Sequence, residues 1–131
     1  MSPHIWQILE GRREIVLSLL NAEDAVDTGD IWRQSRFQVE EHELYDEINR
    51  SLFAAEIEMM SWAIENCGKT TPHTQRAGGS RYRRRRATDS EIDPTRSIES
   101  QFDLLRVSDP SRFPAYFHLR GFRYKVVLEK I

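Results

Sequence analysis

The residues whose side chains could most clearly take part in a reaction lie in the acidic loop NAEDAVDTGD at 21–30. Asp27 precedes Thr28 and Gly29, and a loop carboxylate can act as a general base that accepts a proton from a reacting group. A carboxylate in an isolated Asp-Thr-Gly more often caps backbone amides of its own turn. The residues around the loop must therefore decide between a catalytic and a turn-forming interpretation of Asp27.

A second candidate is the segment RYRRRR at 81–86, which contains five arginines. Guanidinium groups match phosphate oxygens in bidentate fashion, so Tyr82 and Arg84 are candidates for holding a substrate phosphate. A charged surface loop, paired with some of the 21 acidic residues, is an equally open interpretation. Nucleic acid is the less expected partner, because Tyr82 alone offers little surface for base stacking.

Composition limits the class of protein. The 131 residues, of which 39% are apolar, suffice for one domain with a real core. The formal charge of −2 gives no overall attraction to nucleic acid or acidic membranes, and no run of 18 apolar residues occurs. The single cysteine excludes an intrachain disulfide framework. We therefore expect a cytoplasmic protein without an export signal or a membrane segment.

Two strands and a helix must position Asp27. The run IVLSLL at 15–20 predicts an interior strand buried on both faces, although its periodicity alone does not exclude a helix. The loop at 21–30 turns the chain, and a second strand is expected at 31–39. From 41 to 66, apolar residues recur every three or four positions, which predicts an amphipathic helix ended by Gly68.

The remaining segments predict smaller elements. A short helix is expected at 3–10, and 69–97 reads as a long surface excursion rich in Gly, Ser, Thr and Arg. A short amphipathic helix is expected from Ile98 through Leu105. The chain then predicts a terminal hairpin with strands at 115–119 and 122–129.

These elements predict an α/β fold, a fragment of a mostly parallel sheet with covering helices, followed by a small appendage. The predicted division of the chain is 1–68 for the sheet fragment, 69–97 for the arginine-rich surface excursion, and 98–131 for a helix with a β-hairpin.

The stretch SPHIWQILEGRREIVLSLLNAEDAVDTGDIWRQSRF at 2–37 resembles the second half of the catalytic domain of the folate-dependent N-formyltransferases. Members of that family read roughly P-x-x-W-x-I-x-x-G, then an apolar strand, then a loop ending in D-x-G-x-I. The matching residues are Pro3, Trp6, Ile8 and Gly11, then Asp27, Gly29 and Ile31.

The tail at 80–131 is similar to the end of the same enzymes. It contains R-x-x-x-D-S-E-I-D, a predicted helix ending in Leu-Arg, and Pro-Ala before the last strands. It most resembles the formyltransferases that act on amino sugars attached to nucleotides. It does not resemble the larger basic barrel domain of the enzymes that formylate initiator methionyl-tRNA.

The resemblance implies a Rossmann-like formyltransferase domain of which this chain holds the C-terminal half. It implies transfer of a formyl group from N10-formyltetrahydrofolate to a primary amine, without a metal. Asp27 is then the catalytic aspartate rather than a turn carboxylate. The backbone of Glu23, Asp24 and Ala25 would lie where the family's loop meets the pterin ring of the folate. An ordinary solvated acidic loop is an equally open interpretation of these three residues.

The family also uses an asparagine and a histidine, two residues apart, just before the segment that begins this chain. No Asn-x-His occurs in the sequence. We therefore expect a truncated formyltransferase that works as a homo-oligomer or with a missing N-terminal half. The alternatives are a non-catalytic module that binds anions or nucleic acid, and an inactive remnant of a formyltransferase.

Overall fold

The computed structural model describes residues 3–76 and 81–131 and confirms the mixed α/β class. Its elements are α1 (Pro3–Leu9), β1 (Glu14–Leu20), β2 (Ile31–Gln38), α2 (Tyr45–Asn66), α3 (Phe102–Arg106), β3 (Ala115–Leu119) and β4 (Phe122–Val126). Short 3-10 turns lie at Ala87–Ser90 and Glu99–Gln101. Residues 77–80 of the predicted surface excursion lie outside the described ranges. No helix within those ranges has the length and apolar content that a membrane span requires.

The chain forms two compact units, each built from segments that are not contiguous in sequence. Unit 1 consists of Met1–Arg13, Val39–Ile48 and Tyr82–Ile131. Unit 2 consists of Glu14–Gln38 and Asn49–Arg81. The division at residues 68 and 97 stays a prediction.

In unit 2, β1 and β2 pair antiparallel, from Glu14 opposite Gln38 to Leu20 opposite Ile31. The expectation of a mostly parallel sheet is wrong for the described strands, because β3 and β4 also pair antiparallel. The connection explains the difference. Parallel neighbours need a crossover of about a dozen residues or more, usually helical, whereas the helix-free loop between β1 and β2 simply reverses the chain.

The prediction that the first strand is buried on both faces is also wrong. Ile15 is buried, whereas Val16 is 39% exposed and Leu17 is half-buried. Burial on both faces requires a covering layer on each side of a sheet. A two-stranded sheet with one covered face instead leaves alternate side chains open to solvent.

Helix α2 begins at Tyr45, four residues later than the periodicity predicted. The chain before it is held in a turn, because the amide of Glu40 donates to the Glu43 carboxylate at 2.9 Å. The amide of Leu44 donates to the Glu47 carboxylate at 2.8 Å, which satisfies a donor at the helix start. The helix ends as predicted, with Gly68 in the left-handed region at φ +74°.

Unit 1 contains α1, α3 and the β3–β4 hairpin. The hairpin turn places Arg120 and Gly121 at φ +51° and +84°, and two positive values are what a two-residue turn of the favoured type requires. The predicted helix from Ile98 is split into a 3-10 turn followed by α3. The buried apolar residues of this unit include Ile5, Ile8, Val39, Ile48, Leu105, Val107 and Ala115.

Candidate functional site

The acidic loop 21–30 is closed at its base by a backbone hydrogen bond. The amide of Asn21 donates to the carbonyl of Asp30 at 2.7 Å. Gly29 is buried against this junction, and a Cβ atom added there would lie 1.8 Å from the carbonyl oxygen of Asn21. Only glycine therefore fits at position 29 with the loop closed in this way.

The side chain of Gln75 binds the Asp27–Gly29 end of the loop. Its Nε2 donates to the carbonyl oxygen of Asp27 at 3.0 Å and also to that of Gly29. Next to it, the backbones of His73 and Ile31 exchange two hydrogen bonds as an antiparallel bridge. The sequence analysis missed Gln75, because it lies in a segment without apolar periodicity and no local pattern points to it.

The Asp27 backbone is fixed while its carboxylate stays unbonded. Asp27 adopts a left-handed conformation at φ +62°, which is uncommon for a residue with a side chain. Its side chain is exposed, and no described residue donates a hydrogen bond to its carboxylate. A turn-capping aspartate would accept bonds from nearby backbone amides. The Asp27 carboxylate is therefore open to solvent, and its catalytic role stays a prediction.

The loop residues before Asp27 also keep polar groups available. Glu23, Asp24 and Ala25 are exposed. The Glu23 side chain accepts a hydrogen bond from Asn21 Nδ2 at 2.9 Å, and the Ala25 carbonyl accepts one from the Thr28 hydroxyl at 2.9 Å. Within the described ranges, the backbone amides of these three residues donate to no acceptor. The loop thus presents free main-chain donors beside a free carboxylate.

The arginine segment of unit 1 is arranged differently. The guanidinium of Arg83 donates to both carboxylate oxygens of Asp89, at 2.7 and 2.5 Å. It also lies over the Trp6 indole, 4.6 Å from the ring centroid, and Trp6 Nε1 donates to the Arg83 carbonyl at 3.0 Å. The hydrogen bond from Arg83 is the main cause that lowers the pKa of Asp89 to about 2. The charge of Arg83 is therefore already balanced by Asp89 of the same chain.

Arg85 is buried, with 9% of its surface exposed. Its guanidinium donates to the Ser90 hydroxyl at 3.0 Å and to the Val107 carbonyl at 3.4 Å, and burial lowers its pKa. The predicted phosphate ligands flank Arg83 in the sequence, Tyr82 before it and Arg84 after it. Tyr82 donates its hydroxyl to the Glu10 carboxylate at 2.8 Å. Arg84 is exposed, and its side chain donates to no described residue.

The structure thus places the predicted site residues in two groups, with Asp27, Glu23, Asp24 and Ala25 in unit 2 and Tyr82 and Arg84 in unit 1. Across residues 3–76 and 81–131, no group of three or more His, Cys, Asp or Glu residues is placed to hold a metal ion.

No family model matches the sequence, and no characterised protein matches it in a sequence search. Solved structures match the fold over nearly the whole chain. Methionyl-tRNA formyltransferase from Clostridium thermocellum matches with a TM-score of 0.80 and 20% identity, over 99% of this chain and 56% of that one. A 4-N formyltransferase from Francisella tularensis matches with a TM-score of 0.76 and 22% identity, over 98% and 57%.

HypX from Aquifex aeolicus in complex with tetrahydrofolic acid also matches, with a TM-score of 0.79 and 21% identity, over 95% of this chain and 22% of that one. These matches show a formyltransferase-like fold, which confirms the resemblance found in the sequence. The chain spans about half the length of the two formyltransferases.

Proposed function

We propose that this chain contributes the aspartate-bearing part of a site that transfers a formyl group from N10-formyltetrahydrofolate to a primary amine. The observation that carries the proposal is the Asp27 carboxylate, which no described residue hydrogen-bonds although Gln75 and Gly29 fix the backbone around it. The formyltransferase-like fold supports the same reaction.

Asp27 serves as the base in this proposal. An amine must lose a proton as it attacks the formyl carbon, and a carboxylate within hydrogen-bond reach can accept that proton directly or through water. The left-handed conformation of Asp27 is consistent with this role, because backbone conformations of this kind cluster at active sites.

The loop at Glu23, Asp24 and Ala25 fits the folate. A pterin ring carries hydrogen-bond donors and acceptors along one edge, and exposed main-chain groups can pair with both kinds. The free amides of these residues provide donors for that purpose. Recognition by the backbone leaves the three side chains open to vary.

We further propose a nucleotide-linked amino sugar as the acceptor, in the cytoplasm. The tail resembles that of the amino-sugar enzymes, and a sugar N-formyltransferase is among the solved structures of the same fold. Arg84 is the proposed phosphate ligand, beside Tyr82, because its guanidinium is exposed and unbonded within the described chain. Arg83 and Arg85 are already engaged by the fold.

The sequence contains no Asn-x-His pair. A donor that stabilises the developing oxyanion and a histidine must therefore come from another polypeptide segment, and losing such a donor costs about a hundredfold to a thousandfold in turnover. We expect the 131-residue chain alone to show no measurable transfer from N10-formyltetrahydrofolate.

The test supplies the other half-site in trans, as an Asn-x-His segment from a formyltransferase of the same fold, and compares Asp27→Asn with wild type. We expect kcat to fall about a hundredfold or more, because a positioned base is lost. Folding should change little, since asparagine tolerates the left-handed conformation. Asp24→Asn, a second loop carboxylate, is the matched control and should stay within about threefold of wild type.

An Asp27→Asn variant that turns over within about threefold of wild type in the same assay would return Asp27 to the turn interpretation. Calorimetry can also measure how 5-formyltetrahydrofolate binds to the chain alone, and this readout does not depend on turnover.

A further inference from the structure

Gln75 bonds two carbonyl oxygens of the acidic loop through one nitrogen atom. Its Nε2 donates to the carbonyl of Asp27 at 3.0 Å and also to that of Gly29. A primary amide has two N–H donors on that nitrogen, so both bonds can form together. The two carbonyls belong to residues two positions apart and face the same atom. The bonds therefore fix the directions of both peptide groups in the part of the loop that carries Asp27.

The backbone of Asp27 needs such support. Its φ of +62° lies in the left-handed region, which is unfavourable for a residue with a Cβ atom. A conformation of this kind persists where the surrounding structure enforces it. Gln75 bonds the carbonyl of Asp27 itself, so it restrains the conformation from which the carboxylate projects.

The segment that carries Gln75 is itself fixed to the sheet of unit 2. Two residues earlier, His73 exchanges two backbone hydrogen bonds with Ile31, at 2.8 and 3.0 Å. Ile31 is the first residue of β2 and directly follows the loop. Gln75 is half-buried and belongs to unit 2 together with the loop and both strands. Its amide therefore reaches the loop from a backbone that the sheet holds in place.

The first half of the loop has different hydrogen bonds. The Asn21 side chain donates to the Glu23 carboxylate at 2.9 Å. The Thr28 hydroxyl donates to the Ala25 carbonyl at 2.9 Å. Neither bond involves Gln75. The residues proposed to face the folate and the residue proposed to act as the base thus depend on separate side chains.

We infer that Gln75 is a positioning residue for turnover, which holds Asp27 in the conformation from which its carboxylate can reach the attacking amine. This inference rests on the proposed function of Asp27 as the base. A displacement of about 1 Å can reduce turnover about a hundredfold. Glu23 and Ala25 keep their own bonds without Gln75, so the affinity for the folate changes little. Gln75 then acts on kcat and not on KM for N10-formyltetrahydrofolate.

Gln75→Leu tests the inference, because it removes both donors at a similar side-chain size and adds no charge. In the chain complemented with the Asn-x-His segment, we expect kcat to fall about tenfold or more, with KM for N10-formyltetrahydrofolate within about threefold of wild type. Gln34→Leu is the matched control, since Nε2 of Gln34 donates to the Ser18 hydroxyl at 2.9 Å, on the sheet and outside the loop. It should leave both constants unchanged.

Hydrogen exchange of the chain alone tests the positioning without turnover. The Asn21 amide, which bonds the Asp30 carbonyl, should exchange about tenfold faster in Gln75→Leu, whereas the amides at 15–19 in β1 should not change. If circular dichroism shows that Gln75→Leu is unfolded, Gln75→Glu replaces it, because its carboxylate has the same length and cannot donate to the two carbonyls.

The two measurements separate the ways in which the inference can fail. Unchanged exchange at Asn21 would overturn the positioning by Gln75 alone, as would faster exchange with a wild-type kcat. A rise in KM as large as the fall in kcat would also overturn it, because the whole loop would then depend on Gln75. Absence of turnover in the complemented wild type, or full turnover by Asp27→Asn, would overturn the proposed base and this inference with it.

Discussion

The acidic loop 21–30 and the arginine segment 81–86 are both charged, and the fold treats them in opposite ways. In the loop, hydrogen bonds fix the backbone, from Asn21 to Asp30 and from Gln75, while the Asp27 carboxylate bonds to no described residue. In the arginine segment, the fold itself engages the charged groups of Arg83 and Arg85.

This difference teaches that a high density of charged residues in a sequence does not show which charged side chains are available to bind a ligand. The arginines of such a run can be engaged by a carboxylate, an indole ring and carbonyl groups of the same chain. A single aspartate on a fixed backbone keeps its side chain unbonded, and its role in chemistry stays a prediction. Three substitutions, in order of decreasing expected effect, test this distinction.

The largest effect is expected for Gly29→Ala. Its Cβ would lie 1.8 Å from the Asn21 carbonyl oxygen, so the loop must open or shift. We expect unfolding in urea to show a loss of about 3 kcal/mol, and binding of 5-formyltetrahydrofolate to be lost with it. Gly68→Ala is the control, because Gly68 is left-handed with open space around it and should cost only about 1 kcal/mol. Equal losses for the two variants would mean that position 29 does not close the loop.

Asp89→Asn tests whether the arginine segment is structural. The side chain of Asp89 is 13% exposed, whereas that of Arg83 is 57% exposed and screened by water, so we expect a loss of about 1 to 2 kcal/mol at neutral pH. The pKa of Asp89 is lowered from 3.8 to about 2 in the folded protein. Its contribution is therefore present above about pH 4 and is lost as the pH falls toward 2.

The difference in unfolding free energy between wild type and Asp89→Asn should consequently shrink between about pH 5 and pH 2. A difference that stays constant through this range would show that the Asp89 charge does not stabilise the segment.

The smallest effect on folding is expected for Arg84→Gln, because this exposed side chain bonds to no described residue. Unfolding free energy should change by less than about 0.5 kcal/mol. The dissociation constant of a nucleoside diphosphate, measured by calorimetry, should rise about fivefold, because one charge-assisted pair is lost. Arg83→Gln should show the reverse, a loss of stability with little change in binding. If both variants bind the nucleotide as wild type does, Arg84 is not a phosphate ligand.

Local signals in the sequence predicted most elements of the fold. The apolar periodicity and Gly68 located α2, and Arg120 with Gly121 located the hairpin turn. Two features escaped prediction because they depend on distant residues. The antiparallel pairing of β1 with β2 follows from the kind of connection, and the exposure of Val16 follows from which layers cover the sheet.

Only the part of the candidate site that lies within a sequence motif could be predicted. Asp-x-Gly-x-Ile identified Asp27 and the glycine that the loop needs. Gln75 could not be found from the sequence, because its role arises from a bridge between Ile31 and His73 that brings two distant segments together. The internal hydrogen bonds of Arg83 and Arg85 could not be predicted either. A run of arginines has the same sequence whether its side chains face solvent or bond within the fold.

The hydrogen bond from Trp6 to Arg83 joins residues that are 77 positions apart, and this separation affects synthesis of the chain. At about 5 to 20 residues per second, the ribosome needs roughly 4 to 15 seconds to proceed from one to the other. Helix α3, against which α1 packs, is made later still. During that interval Ile5 and Ile8, both buried in the finished protein, have no partner from the C-terminal segment. The segment around Ile5 and Ile8 is therefore available to a ribosome-associated chaperone for at least that interval.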